Sequence, residues 1–261
     1  MAIKAIDKKL NDLEKIREEI AILEILCDHK FVIKLLEYFE DRNKIYLVFE
    51  LAEKGDLVEI INSQKLSLEN TKMILFQLLQ AIKYAHSKNV IHRDLKLDNV
   101  LLNSKGEVKL IDFGISSRDC FLKDSRGTPN YISPETLQPD KVSSYKSDMW
   151  SFGVIAYILY YKQCPFYSKS KNRLYEKILL GEYSIPSHVE SSNLFLHLLR
   201  NLLVVDAERR MGVQQAIDHP WFDSVRETFS QKYSPNRRQI ALEHTIRKSI
   251  RLFYLQNFPN N

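Results

Sequence analysis

The spacing of apolar residues changes character several times along the chain. Residues 1–6 read as the end of a β-strand. Over residues 7–26, Leu10, Leu13, Ile16, Ile20, Leu23 and Leu26 recur at three- and four-residue steps with charged residues between them, which predicts an amphipathic helix. Residues 31–39 and 44–51 are apolar, β-branched or aromatic. Asp41, Arg42 and Asn43 separate them as a turn signal, so the two runs predict a β-hairpin. After Gly55 the helical period returns, with a long amphipathic helix over 67–88. Two short strands, 100–102 and 108–111, flank the turn residues 103–106, and from Ser147 onward the pattern is helical. The expected fold is α+β and two-lobed, a small β-rich lobe with one helix followed by a larger, mainly α-helical lobe, with a hinge over 50–55. No internal repeat or low-complexity tract interrupts it.

The bulk properties narrow this picture. A chain of 261 residues that is 44% apolar can bury a real core, as one large domain or two small lobes. Its most hydrophobic run, 154–161, is far too short to span a bilayer. The first four residues, Met-Ala-Ile-Lys, carry no secretory pattern. Cys27, Cys120 and Cys164 are odd in number and widely spaced, which points to free thiols in a reducing compartment, cytoplasmic or nuclear. The net charge of +5 is mild and sits largely after residue 225, so a nucleic-acid partner is not expected.

The most specific chemistry lies in residues 92–99, His-Arg-Asp-Leu-Lys-Leu-Asp-Asn, and in Asp112-Phe113-Gly114. Together they supply a carboxylate able to accept a hydroxyl proton (Asp94) and a lysine able to neutralise a moving phosphoryl group (Lys96). They also supply two hard oxygen ligands for magnesium, Asn99 and Asp112. Phosphoryl transfer needs that set.

This stretch resembles the catalytic and magnesium loops of eukaryotic protein kinases. Ser133-Pro134-Glu135 stands where that family has Ala-Pro-Glu. Asp148 to Gly153 (Asp-Met-Trp-Ser-Phe-Gly) matches its Asp-x-Trp-Ser-x-Gly helix, and Arg210 with His219-Pro220-Trp221-Phe222 matches the end of its large lobe. The order and spacing cover almost all of residues 1–222. The resemblance is to the serine/threonine type, nearest the calcium/calmodulin-dependent and AMP-activated branch. It divides the chain into a kinase domain over 1–222 (a partial small lobe over 1–53 and a large lobe over 54–222) and a tail over 223–261.

That resemblance implies Mg-ATP as the phosphoryl donor and further roles by position. Lys4 would contact the nucleotide phosphates and pair with Glu19, with Glu18 as the alternative partner. Phe49 would close the back of the adenine pocket, the backbone of Glu50 and Ala52 would meet the adenine edge, and Leu101 would pack beneath it. Leu23, Leu35, His92 and Phe113 would stack as a spine. Arg93 would read a charge on the activation segment, supplied by Asp124 or by a phosphate on Ser125. Thr128 would bridge Asp94 and Lys96. Asp56 and Asp98 would favour basic residues ahead of the target in a protein substrate, and Asp56 could equally cap a helix. Glu135 and Arg210 would form a buried ion pair, and Asp148 would brace the catalytic loop. The residues over 237–255 form a basic amphipathic pattern of the kind found in calmodulin targets or docking helices. The family's glycine-rich loop precedes the strand lysine, whereas no glycine occurs here before Gly55. The expectation is a sequence truncated ahead of that loop, the alternative an inactive pseudokinase acting as a binding scaffold.

Overall fold

A computed structural model describes residues 1–63, 66–116, 128–138 and 143–233. Residues 1–223 form one compact unit and residues 224–261 a second. The first unit has the expected α+β, two-lobed architecture.

The small lobe is a three-stranded antiparallel sheet and one helix. Strands β1 (Ala2–Asp7), β2 (Leu35–Glu40) and β3 (Lys44–Phe49) are ordered β1-β3-β2. β1 pairs with β3 from Ala2 opposite Phe49 to Asp7 opposite Lys44. The turn before β3 closes because the Asp41 carboxylate accepts from the Asn43 and Lys44 N–H groups, both at 2.7 Å. Helix α1 (Leu13–Leu26) starts later than its apolar period suggests. Asp7 accepts from Lys9 N–H at 2.8 Å in a local turn, and Asp12 caps the helix by accepting from Glu14 N–H at 3.0 Å. Leu10 is left outside, 83% exposed. Ile16 and Ile20 of α1 pack on Ile6, Ile45 and Leu47 of the sheet.

The run 31–33 is apolar for a reason other than the hairpin. It lies against the large lobe, where Val32 bridges Leu110 in parallel and Ile33 N–H donates to Leu110 O at 2.9 Å. The hairpin strand begins only at Leu35.

In the large lobe, α2 (Leu57–Ser63) and α3 (Leu68–Ser87) precede the β4 (Val100–Leu102) and β5 (Val108–Leu110) ribbon. Ser67 caps α3 by accepting from Asn70 N–H at 3.1 Å. Helix α4 (Tyr145–Tyr161) starts with a Ser144–Ser147 capping box, and beyond its first turn it is largely apolar all round because nearly all of it is buried. Gly153 lets α6 (Asn193–Leu202) and its following residue approach: a Cβ there would lie 2.9 Å from Leu203 Cδ2 and 3.0 Å from Leu202 Cβ. Helices α5 (Lys171–Leu180) and α7 (Val213–Ile217) complete this unit. Helix α8 (Asp223–Tyr233) falls almost wholly in the second unit.

Glu135 and Arg210 form the expected pair. It is bidentate, with Arg210 Nη1 and Nη2 each 2.8 Å from a Glu135 carboxylate oxygen. Arg210 also donates to Val204 O and Lys146 O, and Ser147 Oγ donates to Glu135. Burial pushes the Glu135 carboxyl up, but the guanidinium outweighs it and the net position is below the ordinary range. Ser133, standing where the family has alanine, is buried with its hydroxyl 2.9 Å from Thr136 Oγ1.

Two stability predictions follow from this packing. Replacing Arg210 by leucine leaves Glu135 charged and buried, and should lower the unfolding free energy by about 3–5 kcal/mol in urea titration. The second concerns His29, which stacks on Tyr84 of α3 with ring centroids 4.7 Å apart. Burial and then the Lys109 charge push its pKa down from 6.5 to about 4. The folded state therefore binds fewer protons than the unfolded state between those values. This contribution is complete above pH 6.5 and is lost as pH falls toward 4, on the order of 2–3 kcal/mol. The Glu135 and Asp148 carboxyls, both held low, lose their contribution only in more acidic solution. Equilibrium unfolding from pH 7 to 4.5 should show a shallower decline in His29→Phe than in wild type.

Candidate active site

The catalytic-loop residues are held from below by one buried carboxylate. Asp148, in the first turn of α4, accepts from His92 N–H and His86 Nε2 on Oδ2 (2.9 and 2.8 Å) and from Arg93 N–H on Oδ1 (2.9 Å). Burial pushes this carboxyl up, but its hydrogen bond with His86 and the histidine charges bring it below the ordinary range. These bonds hold Arg93 at φ +70°, a left-handed conformation that costs a non-glycine residue roughly 1–2 kcal/mol. The His92 ring donates from Nε2 to Ile111 O at 3.0 Å and packs on Phe113 at 4.9 Å, joining this loop to the Asp112 loop. Leu23 of α1, expected in the same stack, is buried, and Leu35 is partly buried against the small-lobe core. Asp112 itself sits at φ +61°.

Above that support the polar side chains converge. Asp94 Oδ1 accepts from Thr128 N–H and Thr128 Oγ1, each at 3.1 Å. Asp94 Oδ2 lies 2.8 Å from Lys96 Nζ, and Lys96 Nζ also donates to Thr128 Oγ1 at 3.1 Å. Asn99 is buried, and its Nδ2 donates to Asp94 O at 2.8 Å and Asp94 Oδ2 at 3.2 Å. Its amide oxygen is thereby the atom suited to a cation. Burial alone would lower the Lys96 pKa, but the Asp94, Asp98 and Asp112 carboxylates outweigh it and keep the ammonium charged above its ordinary range.

The small lobe adds Lys4. Its Nζ lies 2.6 Å from Glu19 Oε1 and 3.8 Å from Asp112 Oδ1. Between the two sequence alternatives, the buried Glu19 is the partner, and Glu18 is exposed. These residues border a cleft of about 380 Å³ that also meets Ala2, Leu23, Phe49, Glu50, Ala52, Asn99, Leu101 and Ile111. Its size and mixture of apolar walls with a few polar groups suit a small-molecule site. Glu50 N–H is already donated to Lys34 O at 3.1 Å, so the carbonyl is the Glu50 backbone group suited to an adenine edge.

Other expected positions fall around the rim. Asp56 caps α2, accepting from Glu59 N–H at 2.8 Å, while Asp98 is exposed in the short turn before β4. Arg93 borders a small recess with Lys15, Glu18, Gly114 and Ser116. Asp124, Ser125 and the tail over 237–255 lie outside the described residues. Ile3, Ile33, Leu51 and Ile111 of the cleft, and Lys109 beside it, were not singled out from the sequence. Ile111 lines the cleft wall, and Lys109 reaches Glu50 Oε1 at 2.7 Å. A lysine inside the apolar run of β5 was the only local sign of the latter.

Comparison with known proteins identifies the family of the chain. The protein kinase domain profile matches residues 1–222. A probable myosin light chain kinase of Dictyostelium discoideum is 38% identical over 239 residues, covering 87% of this chain and 76% of the relative. A calcium/calmodulin-dependent protein kinase type 1 of Macrobrachium nipponense is 34% identical over 275 residues, covering 97% and 79%. A third relative, the probable serine/threonine-protein kinase fhkC of D. discoideum, is 36% identical over 250 residues. The match covers 90% of this chain but only 42% of that longer protein. By its sequence from residue 1 to 222 and by the two-lobed fold around this cleft, the chain belongs to the protein kinase domain family.

Proposed function

We propose that this chain transfers the γ-phosphoryl group of Mg-ATP to serine or threonine hydroxyls of proteins. The observation that carries the reading is the convergence of Asp94, Lys96, Asn99 and Thr128 in one hydrogen-bonded group, with Lys4, Glu19 and Asp112 across the same cleft. The kinase names of the relatives support the serine/threonine assignment. So does the bond from Lys96 to Thr128.

Each side chain has a task that its surroundings permit. Asp94 orients the incoming hydroxyl and accepts its proton while the new O–P bond forms and the bridging bond to the β-phosphate breaks, releasing ADP. Lys96 offsets negative charge on the transferring group, and Thr128 keeps Asp94 and Lys96 in register. Lys4, oriented by Glu19, holds the nucleotide phosphates. The donor set fits magnesium, because Asn99 and Asp112 present hard oxygens and the Asn99 amide is fixed by its own N–H bonds. Bound there, the ion neutralises phosphate charge. The Glu50 carbonyl and Ala52 backbone take the adenine edge, with Leu101 beneath the ring. Arg93 takes the activation-segment charge.

For the protein substrate, Asp98 is the better placed acid for an upstream basic residue, since Asp56 already caps α2. Residues 1–222 are the kinase domain in this reading, with a small lobe over 1–53, a large lobe over 54–222 and a tail over 223–261. The tail is a candidate calmodulin or docking segment. A reducing compartment, cytoplasmic or nuclear, suits Cys27 and Cys164, neither of which forms a disulfide among the described residues. Among those residues no helix is long and apolar enough to cross a membrane.

Asp94→Asn keeps the shape of the side chain but not its basicity. It should lower kcat on a serine peptide by about 10²–10⁴-fold with nucleotide affinity little changed, read by radiolabel transfer and calorimetry. Wild-type protein that binds Mg-ATP yet transfers nothing to any serine or threonine substrate would instead support the scaffold alternative.

A further inference from the structure

One charge pair at the hinge has no part in the chemistry above. Glu50 follows β3 and lines the cleft. Its Oε1 accepts from Lys109 Nζ at 2.7 Å and from Lys34 N–H at 2.9 Å. Lys109 lies in the middle of β5, 7% exposed, between fully buried Val108 and Leu110. A lysine in such a place is costly unless it is paired. Asp112 follows three residues later on the same run of chain.

The surroundings make this pair part of a firm junction. Glu50 N–H donates back to Lys34 O, Ile33 N–H donates to Leu110 O, and Leu110 N–H donates to Phe31 O, at 3.1, 2.9 and 2.9 Å. A second pair, Lys30 with the buried Glu107, closes the other end of the junction at 2.9 Å. The hinge peptide, the segment before β2 and the strand leading to Asp112 are thus joined where the two lobes meet. Lys109 is the only side chain in this junction that fastens the hinge carboxylate directly to the β5 strand among the described residues.

We infer that Lys109 is a positioning residue for nucleotide. By holding the Glu50 carboxylate it fixes the hinge relative to β5, and so fixes the spacing between the adenine-binding backbone and the metal-binding Asp112. A nucleotide must satisfy both ends at once, and a small error in that spacing weakens both contacts. Lys109 touches neither nucleotide nor hydroxyl, so its effect falls on nucleotide affinity and not on the protein substrate. The inference rests on the Mg-ATP reading of the cleft.

The test compares Lys109→Met, Lys109→Arg, Glu50→Gln and the Lys109→Met/Glu50→Gln double variant of the full chain. KM is measured separately for ATP and for peptide, and Mg-ADP affinity by fluorescence of a labelled analogue. Lys109→Met should raise the ATP KM and the analogue Kd about tenfold with the peptide KM unchanged. Lys109→Arg should restore most of the loss, and the double variant should be no worse than Lys109→Met. Changes within about twofold in both single variants, or ATP and peptide KM rising together, would overturn the inference. So would single effects that simply multiply in the double variant. Failure of the wild type to bind the analogue would instead overturn the reading of the cleft, and is seen before any variant is made.

Discussion

The site depends on a single carboxylate that never meets a ligand. Asp148 is enclosed in the first turn of α4, and a charge in that position is tolerated only because both oxygens are hydrogen-bonded. Two of its three donors are consecutive backbone N–H groups of the catalytic loop. They hold the peptide through Arg93 in a conformation that an unsupported chain would leave. Asp94 is the next residue, so the direction of its side chain is set from the core of the large lobe. The helix that supplies Asp148 is itself fixed by the burial of nearly all its residues and by the Glu135–Arg210 pair beside its start.

Charge balance explains how so many ionised groups share one cleft. Lys96 lies among the charges of Asp94, Asp98 and Asp112, and Lys4 stands between Glu19 and Asp112. The large-lobe groups are tied to one another by bonds of 2.8–3.2 Å, whereas Lys4 approaches Asp112 only to 3.8 Å. The rigid half of the site thus lies in the helical lobe, and the small lobe reaches it through a looser contact across the cleft.

Much of this was legible in the sequence, and for identifiable reasons. Helix α3 falls within one residue of its predicted ends because Ser67 is both a polar punctuation mark and a working cap. The catalytic loop was readable because its chemistry is concentrated in eight consecutive residues. Local pattern failed where long-range contacts decided the outcome. The apolar run 31–33 looks like part of the hairpin strand, and its partner is Leu110, far along the chain. Leu10 fits the helical period, but the turn at Asp7 and the cap at Asp12 exclude it. Glu18 and Glu19 are equivalent on paper, and burial separates them. Lys109 and Glu50 are 59 positions apart, so neither announces the other.

The central claim is that Asn99 and Asp112 present their oxygens to a cation shared with a nucleotide. Its most direct test is calorimetric titration of wild type and Asp112→Asn with a non-hydrolysable ATP analogue, with and without magnesium. The account predicts that magnesium tightens binding to the wild type and has little effect on the variant. Equal affinity with and without magnesium in the wild type, or the same magnesium dependence in both proteins, would contradict it.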